Sequence, residues 1–154
     1  MCNGRIMIAG TNSGCGKTTV VCGLLKCLLN RKMNIHAFKC GPDYIDTSFH
    51  KKVLKIPTGN LDSWFCKPED LRKIVSKKAD KCDIAVIEGV MGYYDGMGFT
   101  QRASAYEIAD ITSTPVILII NCKGMSSSLE AVLSGFANMK QNSHIKGVIF
   151  NRLS

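Results

Sequence analysis

A glycine-rich segment between an apolar run and an amphipathic run restricts the fold of this chain more than any other feature. Residues 5–9 predict a buried strand, and residues 18–31 carry apolar side chains at helical spacing. The sequence GTNSGCGKTT at residues 10–19 joins them. It predicts a phosphate-binding loop, because glycines let several backbone N–H groups point at an anion and the helix N-terminus adds a positive dipole. We expect Lys17 to reach the β- and γ-phosphate oxygens and the Thr18 hydroxyl to ligate Mg²⁺.

The loop differs in one respect from the strict pattern G-x-x-x-x-G-K-S/T. Its first glycine lies one residue early, and Thr11 stands in the usual glycine position. The Gly-Lys-Thr-Thr run and the flanking elements still favour a phosphate loop over an incidental turn. Asn12 stands where partition-type ATPases carry a lysine, which disfavours a dimerising ATPase of that kind. The predicted nucleotide contacts are Thr11, Asn12, Ser13, Gly14, Cys15, Gly16, Lys17, Thr18 and Thr19.

The rest of the chain alternates short apolar runs with helical patterns. The apolar runs are continuous, which is typical of parallel strands buried on both faces. We therefore predict one α/β domain over residues 1–154, a phosphate-loop NTPase-like parallel sheet with helices on both faces. Its end directly after a strand predicts a fragment. The further strands are predicted at 35–39, 84–87, 116–120 and 147–150, and the further helices at Pro68–Ala79, 106–112 and 127–139.

Acidic side chains follow two of the predicted strands. The sequence FKCGPDYID at residues 38–46 sets Lys39, Asp43 and Asp46 after the second strand, at the edge where open α/β sheets bind ligands. Asp43 and Asp46 are close enough in sequence to share one metal or one substrate group. An ordinary Gly-Pro turn with polar rim residues is the alternative.

A second acidic segment, IEGVMGYYDG at residues 87–96, follows the strand predicted at 84–87. Glu88 stands where phosphate-loop proteins place a second magnesium-organising acid. Asp95 lies in a glycine-rich stretch and is predicted to face the substrate. Asp-Gly turn chemistry is the alternative for Asp95.

The net charge indicates which classes of ligand the chain can bind, and the cysteines indicate the compartment in which it works. The formal net charge of +8 favours anionic ligands such as nucleotides and polycarboxylates. No basic tract is interleaved with aromatic residues, so no nucleic-acid partner is predicted. The eight cysteines form no metal-binding spacing, and the sequence has neither a secretory h-region nor a run long enough to span a membrane. We predict a cytoplasmic chain with reduced thiols, and surface or satisfied core positions for His36, His50 and His144.

Taken together, the motifs resemble the amino-terminal domain of the cobyrinate a,c-diamide synthase family. Besides the segments quoted above, the likeness includes NLDSW at 60–64, NCKGMSSS at 121–128 and KGVIFNR at 146–152. It covers nearly the whole chain. The resemblance implies a dethiobiotin-synthetase-like fold, ATP and Mg²⁺ as cofactors, and amidation of peripheral carboxylates of a corrinoid through an acyl phosphate.

The resemblance also implies a role for individual residues. The implied catalytic residues are Lys17, Asp43, Asp46, Glu88 and Asp95, and the implied magnesium ligands are Thr18, Glu88 and Asp46. The implied substrate contacts are Lys39, Tyr44 and Ser104, and Asn151 is implied to contact adenine. The implied partners are a corrinoid or related tetrapyrrole carboxylate, a glutaminase domain or subunit that supplies ammonia, and a second copy of the chain in a homodimer.

Three alternatives stay open. Hydrogenobyrinate or nickel sirohydrochlorin could replace cobyrinate as the substrate. A dethiobiotin-synthetase-like enzyme is a second alternative, although Asp43, Asp46 and Asp95 argue against it. The third is an ATP-binding fragment that does not turn over.

Overall fold

A computed structural model describes residues 4–153, and Cys2 and Ser154 lie outside that range. Within it, six strands form one parallel sheet in the order β3-β2-β4-β1-β5-β6, with five helices against its faces. The elements run in chain order as β1 (Gly4–Gly10), α1 (Lys17–Asn30), β2 (Ile35–Cys40), α2 (Tyr44–Lys52), β3 (Thr58–Leu61), α3 (Pro68–Ala79), β4 (Ile84–Glu88), α4 (Ala105–Thr112), β5 (Val116–Asn121), α5 (Ser128–Asn138) and β6 (Ile145–Asn151).

The sheet divides the core into two layers because successive side chains of a strand point to opposite faces. The predicted α/β fold with both faces covered is therefore confirmed, and it explains why the central strands read as unbroken apolar runs. No helix within residues 4–153 is long and apolar enough to cross a membrane. One layer, with α3, α4 and α5, buries Met7, Ala9, Phe38, Ile87 and Leu118; the other, with α1, buries Ile8, Val21, Leu25, Val86 and Ile119.

Two elements were not predicted from the sequence. Helix α2 begins at Tyr44, and the side chain of Asp43 caps it by accepting from the N–H groups of Ile45 and Asp46 at 2.9 and 3.3 Å. The Asp-x-x-Asp spacing is a usable start signal for this helix. Strand β3 contains Gly59 and Asn60, residues with low strand propensity, and it forms through its pairing with β2.

Candidate functional site

The phosphate loop connects β1 to α1 as predicted. Gly14 and Gly16 have φ values of 75° and 104°, a left-handed conformation in which glycine carries no steric penalty. The early glycine of the loop also has a physical reason. A side chain on Gly10 would overlap the sulfur of the buried Cys15 and press on the methylene groups of Lys17. The variant spacing therefore permits close packing inside the loop.

Asn151, at the end of β6, is hydrogen-bonded to this loop. Its Nδ2 donates to the carbonyl oxygen of Cys15 at 2.9 Å, and its Oδ1 accepts from the backbone N–H of Arg152 at 3.0 Å. A side chain on Gly16 would overlap the amide of Asn151. The amide is thus already engaged in positioning the loop, and a contact from Asn151 to adenine stays a prediction.

The ammonium group of Lys17 faces neutral oxygens. Its Nζ donates to the carbonyl oxygens of Asn12 at 3.0 Å and Met91 at 2.5 Å. Burial, together with the positive charge of Lys39, holds the pKa of Lys17 below its ordinary value, against the opposing effect of nearby acids. A phosphate group would offer this cation a negative partner in place of two carbonyls, so the geometry suits an anion at the loop.

A charged cluster lies next to the loop at the carboxyl edge of the sheet. Lys39 and Glu88 are directly paired in the register of β2 and β4, and both are almost fully buried. The Nζ of Lys39 lies 2.6 Å from Asp46 Oδ2, 3.0 Å from Glu88 Oε1 and 3.7 Å from Asp43 Oδ2. We call these four residues, Lys39, Asp43, Asp46 and Glu88, the acid–lysine cluster.

The cluster is joined to the phosphate loop by Thr18, whose hydroxyl donates to Glu88 Oε1 at 2.7 Å. Burial lowers the pKa of Lys39, but the charges of Glu88 and Asp46 outweigh burial, so its pKa lies above the ordinary value. Burial tends to raise the pKa of Asp46, yet the hydrogen bond from Lys39 brings it below the ordinary value. Lys39 and Asp46 therefore keep their charges at neutral pH.

The oxygen atoms of this region suit Mg²⁺. Thr18, Asp46 and Glu88 supply a hydroxyl and two carboxylates, the hard ligands that this ion prefers. Glu88 Oε1 accepts from the Thr18 hydroxyl, so it lies on the side of the phosphate loop. Within residues 4–153, no group of three His, Cys, Asp or Glu side chains could hold a metal by itself. An ion here would therefore also need phosphate oxygens or water, as is usual for Mg²⁺.

An apolar cleft opens beside the acid–lysine cluster. Its cavity of about 280 Å³ is lined chiefly by Pro42, Trp64, Phe65, Val90, Met91 and Met97. Asp62 and Asp95 also line it, and Asp95 Oδ2 accepts from the N–H of Gly92 at 3.1 Å. The guanidinium of Arg102 lies 4.6 Å from the centre of the Trp64 ring. Asp95 thus lies in the lining of the apolar cleft and not in the cluster.

Two predicted substrate contacts differ in position. Tyr44 is 74% exposed at the start of α2 and is free to meet a ligand. Ser104 is fully buried, and its hydroxyl caps α4 by accepting from the N–H of Glu107 at 3.1 Å. The structure therefore does not bring Ser104 to the cluster or to the apolar cleft; the residue anchors the helix that follows the cleft.

Two residues of the site are not predicted from the sequence, one in the apolar cleft and one beside the acid–lysine cluster. Trp64 belongs to the NLDSW segment at 60–64, and nothing in its spacing marks it as a cleft residue. His50 was expected to be a surface or satisfied core residue. The structure buries it completely beside Glu88, and its Nδ1 has no hydrogen-bond partner within the described range. Its position four residues after Asp46 on one helix was the available signal.

Comparison with known proteins supports the resemblance. The family model described as CobQ/CobB/MinD/ParA nucleotide binding domain matches residues 6–154. The cobyrinate a,c-diamide synthase of Priestia megaterium is 42% identical over 154 residues, which cover 99% of this chain and 34% of that protein. The enzyme of the same name from Limosilactobacillus reuteri is 44% identical over 151 residues, covering 97% and 33%. The chain thus spans about a third of the length of the curated relatives it matches.

The solved structures show the fold alone. FlhF complexed with GTP/Mg(2+) aligns with a TM-score of 0.67 at 14% identity, covering 97% of this chain and 56% of that chain. At this identity, the shared feature is the fold. The predicted phosphate-loop fold and the resemblance to cobyrinate a,c-diamide synthases are both confirmed by these comparisons.

Proposed function

The chain belongs to the CobQ/CobB/MinD/ParA nucleotide binding domain family, and on that premise we propose that it binds ATP with Mg²⁺ and activates a corrinoid carboxylate for amidation. The observation that carries the proposal is the acid–lysine cluster joined to the phosphate loop through Thr18 and Glu88. The names of the two curated relatives described above agree with this reaction. The cytoplasmic location is proposed with it.

The first proposed step is phosphoryl transfer. A carboxylate oxygen of the substrate attacks the γ-phosphorus of ATP, the bond to the bridging oxygen breaks, and ADP leaves with the electron pair. Lys17 would donate hydrogen bonds to the transferring phosphoryl group, because its two acceptors in the structure are neutral carbonyl oxygens and a negatively charged oxygen is a stronger acceptor. Thr18, Asp46 and Glu88 would hold Mg²⁺, which would offset the negative charge of the phosphates when bound. Lys39, with Asp43 beside it, would hold the substrate carboxylate.

The second proposed step is amide formation. Ammonia attacks the acyl carbon, a proton is lost from nitrogen, and inorganic phosphate leaves, so one amide, one ADP and one phosphate result. Activation is needed because a free carboxylate would have to expel oxide. We propose that ammonia is delivered by a glutaminase domain or subunit, and that two copies of the chain associate. Asp95 and Tyr44 are the further groups proposed to contact the substrate.

The apolar cleft supports the proposal that the substrate is a macrocycle with carboxylate side chains. Trp64 and Phe65 are 45% and 77% exposed, although large aromatic side chains are usually buried more deeply. Together with Met91 and Met97 they offer an apolar wall next to a charged site. A macrocycle can rest against such a wall while one carboxylate reaches Lys39. The same wall would accept hydrogenobyrinate or nickel sirohydrochlorin.

The cleft yields a first prediction. Trp64→Ala is expected to raise the KM for the corrinoid about tenfold and to leave the KM for ATP unchanged, because about 1.4 kcal/mol of apolar contact is lost at a half-exposed ring. Steady-state kinetics with each substrate varied measures this. Trp64→Phe should retain most of the affinity. Ile74→Ala, at an exposed position of α3, is the control outside the cleft. An equal rise in both KM values would place Trp64 outside substrate binding.

The proposal is tested directly with free ammonium. Purified protein is incubated with Mg-ATP and ammonium chloride, with and without cobyrinic acid, while phosphate release and product mass are followed. Corrinoid-dependent ADP formation with a mass change of one or two amidations is the expected result. ATP binding without turnover on any tetrapyrrole acid would instead support the binding-fragment alternative.

A further inference from the structure

A buried histidine stands behind the acid–lysine cluster. His50 lies in the last turn of α2 and, like Glu88, is fully buried. Its Nε2 lies 3.8 Å from Glu88 Oε2 and 3.8 Å from the sulfur of Cys22 on α1. Asp46 precedes His50 by one helical turn, and Thr18 precedes Cys22 by one turn. Helix α2 therefore presents Asp46 and His50 on one of its faces, and α1 presents Thr18 and Cys22 on one of its own.

The two oxygens of Glu88 have unequal surroundings. Oε1 accepts from the Thr18 hydroxyl at 2.7 Å and from Lys39 at 3.0 Å. Oε2 is buried without a hydrogen-bond partner among residues 4–153, and the imidazole of His50 lies next to it. An unpaired buried carboxylate oxygen costs free energy, so a donor that can approach it is favoured. A movement of roughly 1 Å would bring Nε2–H into hydrogen-bond range.

We propose that His50 is a positioning residue for Glu88. By donating Nε2–H to Oε2, it holds the carboxylate so that Oε1 faces Thr18 and the phosphate side of the site. The inference rests on the proposed function, in which Glu88 holds Mg²⁺. Outer groups that fix the orientation of a ligand commonly matter nearly as much for metal affinity as the ligand itself.

The neighbouring thiol does not compete for this role. Burial and the negative charges of Glu88 and Asp46 raise the pKa of Cys22, so it stays a neutral thiol at neutral pH. A thiol is a weak hydrogen-bond donor and acceptor. The backbone of His50 has a separate task, since its carbonyl oxygen accepts from the N–H of Ile56 at 3.1 Å. A side-chain substitution removes the imidazole and keeps that bond.

The test compares His50→Leu with His50→Gln. Leucine fills the space without a donor, whereas the glutamine amide places a donor near the position of Nε2. Isothermal titration calorimetry measures the Kd of ATP with Mg²⁺ and with EDTA. His50→Leu is expected to weaken Mg-ATP binding by about 10- to 100-fold and His50→Gln by less than about threefold, with metal-free ATP binding unchanged in both. Equal losses in the two variants, or an equal loss in EDTA, would overturn the proposal.

A reference variant separates this inference from the proposed function. Glu88→Gln is expected to abolish the gain in ATP affinity that Mg²⁺ gives. If Glu88→Gln does so while His50→Leu binds Mg-ATP like the parent protein, the positioning role fails and the proposed metal site stands. If Glu88→Gln keeps the full effect of Mg²⁺, the metal assignment itself fails.

A measurement on the parent protein covers the case in which His50→Leu does not fold. With ¹⁵N-labelled histidine, adding Mg²⁺ to the ATP-bound protein is expected to shift the Nε2 resonance of His50, because the hydrogen bond to Glu88 tightens. His144, whose Nε2 lies 2.8 Å from Asp110 Oδ1, is the internal control and should not shift. An unchanged His50 resonance would contradict the proposal.

Discussion

Lys17→Ala is expected to lower the rate of phosphoryl transfer by at least about 100-fold, the usual loss when one preorganised charge donor is removed from a transition state. The structure gives the reason. The Lys17 ammonium is buried next to the loop and hydrogen-bonded to two neutral carbonyl oxygens, so it is held in place, and no ion pair joins it to another residue of the range 4–153. The transferring phosphoryl group would be its first negative neighbour at hydrogen-bond distance.

The matched control is Lys26→Ala, which removes an exposed lysine from the same helix. Single-turnover measurements with radiolabelled ATP should show the loss for Lys17→Ala and the parent rate for Lys26→Ala. Lys17→Arg should recover little, since the planar guanidinium cannot take the place of a compact ammonium between Asn12 and Met91. A Lys17→Ala rate within a few-fold of the parent would exclude this lysine from the transfer step.

The sequence predicted the fold best where a residue pattern is compatible with only one kind of secondary structure. The mainly apolar runs of β1, β2, β4 and β5 predicted a buried parallel sheet, and the glycine-lysine-threonine run predicted the start of α1 to within one residue. Strand β3 was not predicted because Gly59 and Asn60 do not favour strands. It forms because β2 offers it a free edge, which a single sequence does not display.

The site was harder to predict because it depends on register. That Lys39 directly faces Glu88 follows from the pairing of β2 with β4, which are separated in the chain by two helices and a strand. The sequence could place each residue at the end of a strand but could not say that they are neighbours. The burial of Ser104 follows likewise from how α4 packs. Local spacing carries no information about either contact.

The acid–lysine cluster depends on the charge of Lys39 for stability. This residue is 4% exposed and contacts two carboxylates within 3.0 Å, those of Asp46 and Glu88. Its pKa is raised above 10.5, so its charge and the stability that the charge contributes are fully present at neutral pH. They are lost only as the pH rises through that raised pKa. Removing Lys39 would leave two neighbouring carboxylates without their cation.

Lys39→Met is therefore expected to lower the free energy of unfolding by about 3–5 kcal/mol, the typical cost of breaking a buried ion pair on one side. For a chain of this size the melting temperature should fall by about 10 °C. Differential scanning calorimetry at pH 7 measures the change. Lys73→Met, an exposed lysine of α3, is the control and should melt like the parent.

A second substitution shows whether the loss comes from unpaired charge. The double variant Lys39→Met/Glu88→Gln removes one charge from each side of the pair, so it should be more stable than Lys39→Met alone. Mg²⁺ should raise the melting temperature of Lys39→Met more than that of the parent, because a divalent cation can replace the missing ammonium between Asp46 and Glu88. A double variant less stable than Lys39→Met, together with no extra effect of Mg²⁺, would mean that Lys39 stabilises the fold by packing of its methylene groups. In that case the two carboxylates would tolerate each other without a cation, and the proposed magnesium site would lose its electrostatic basis.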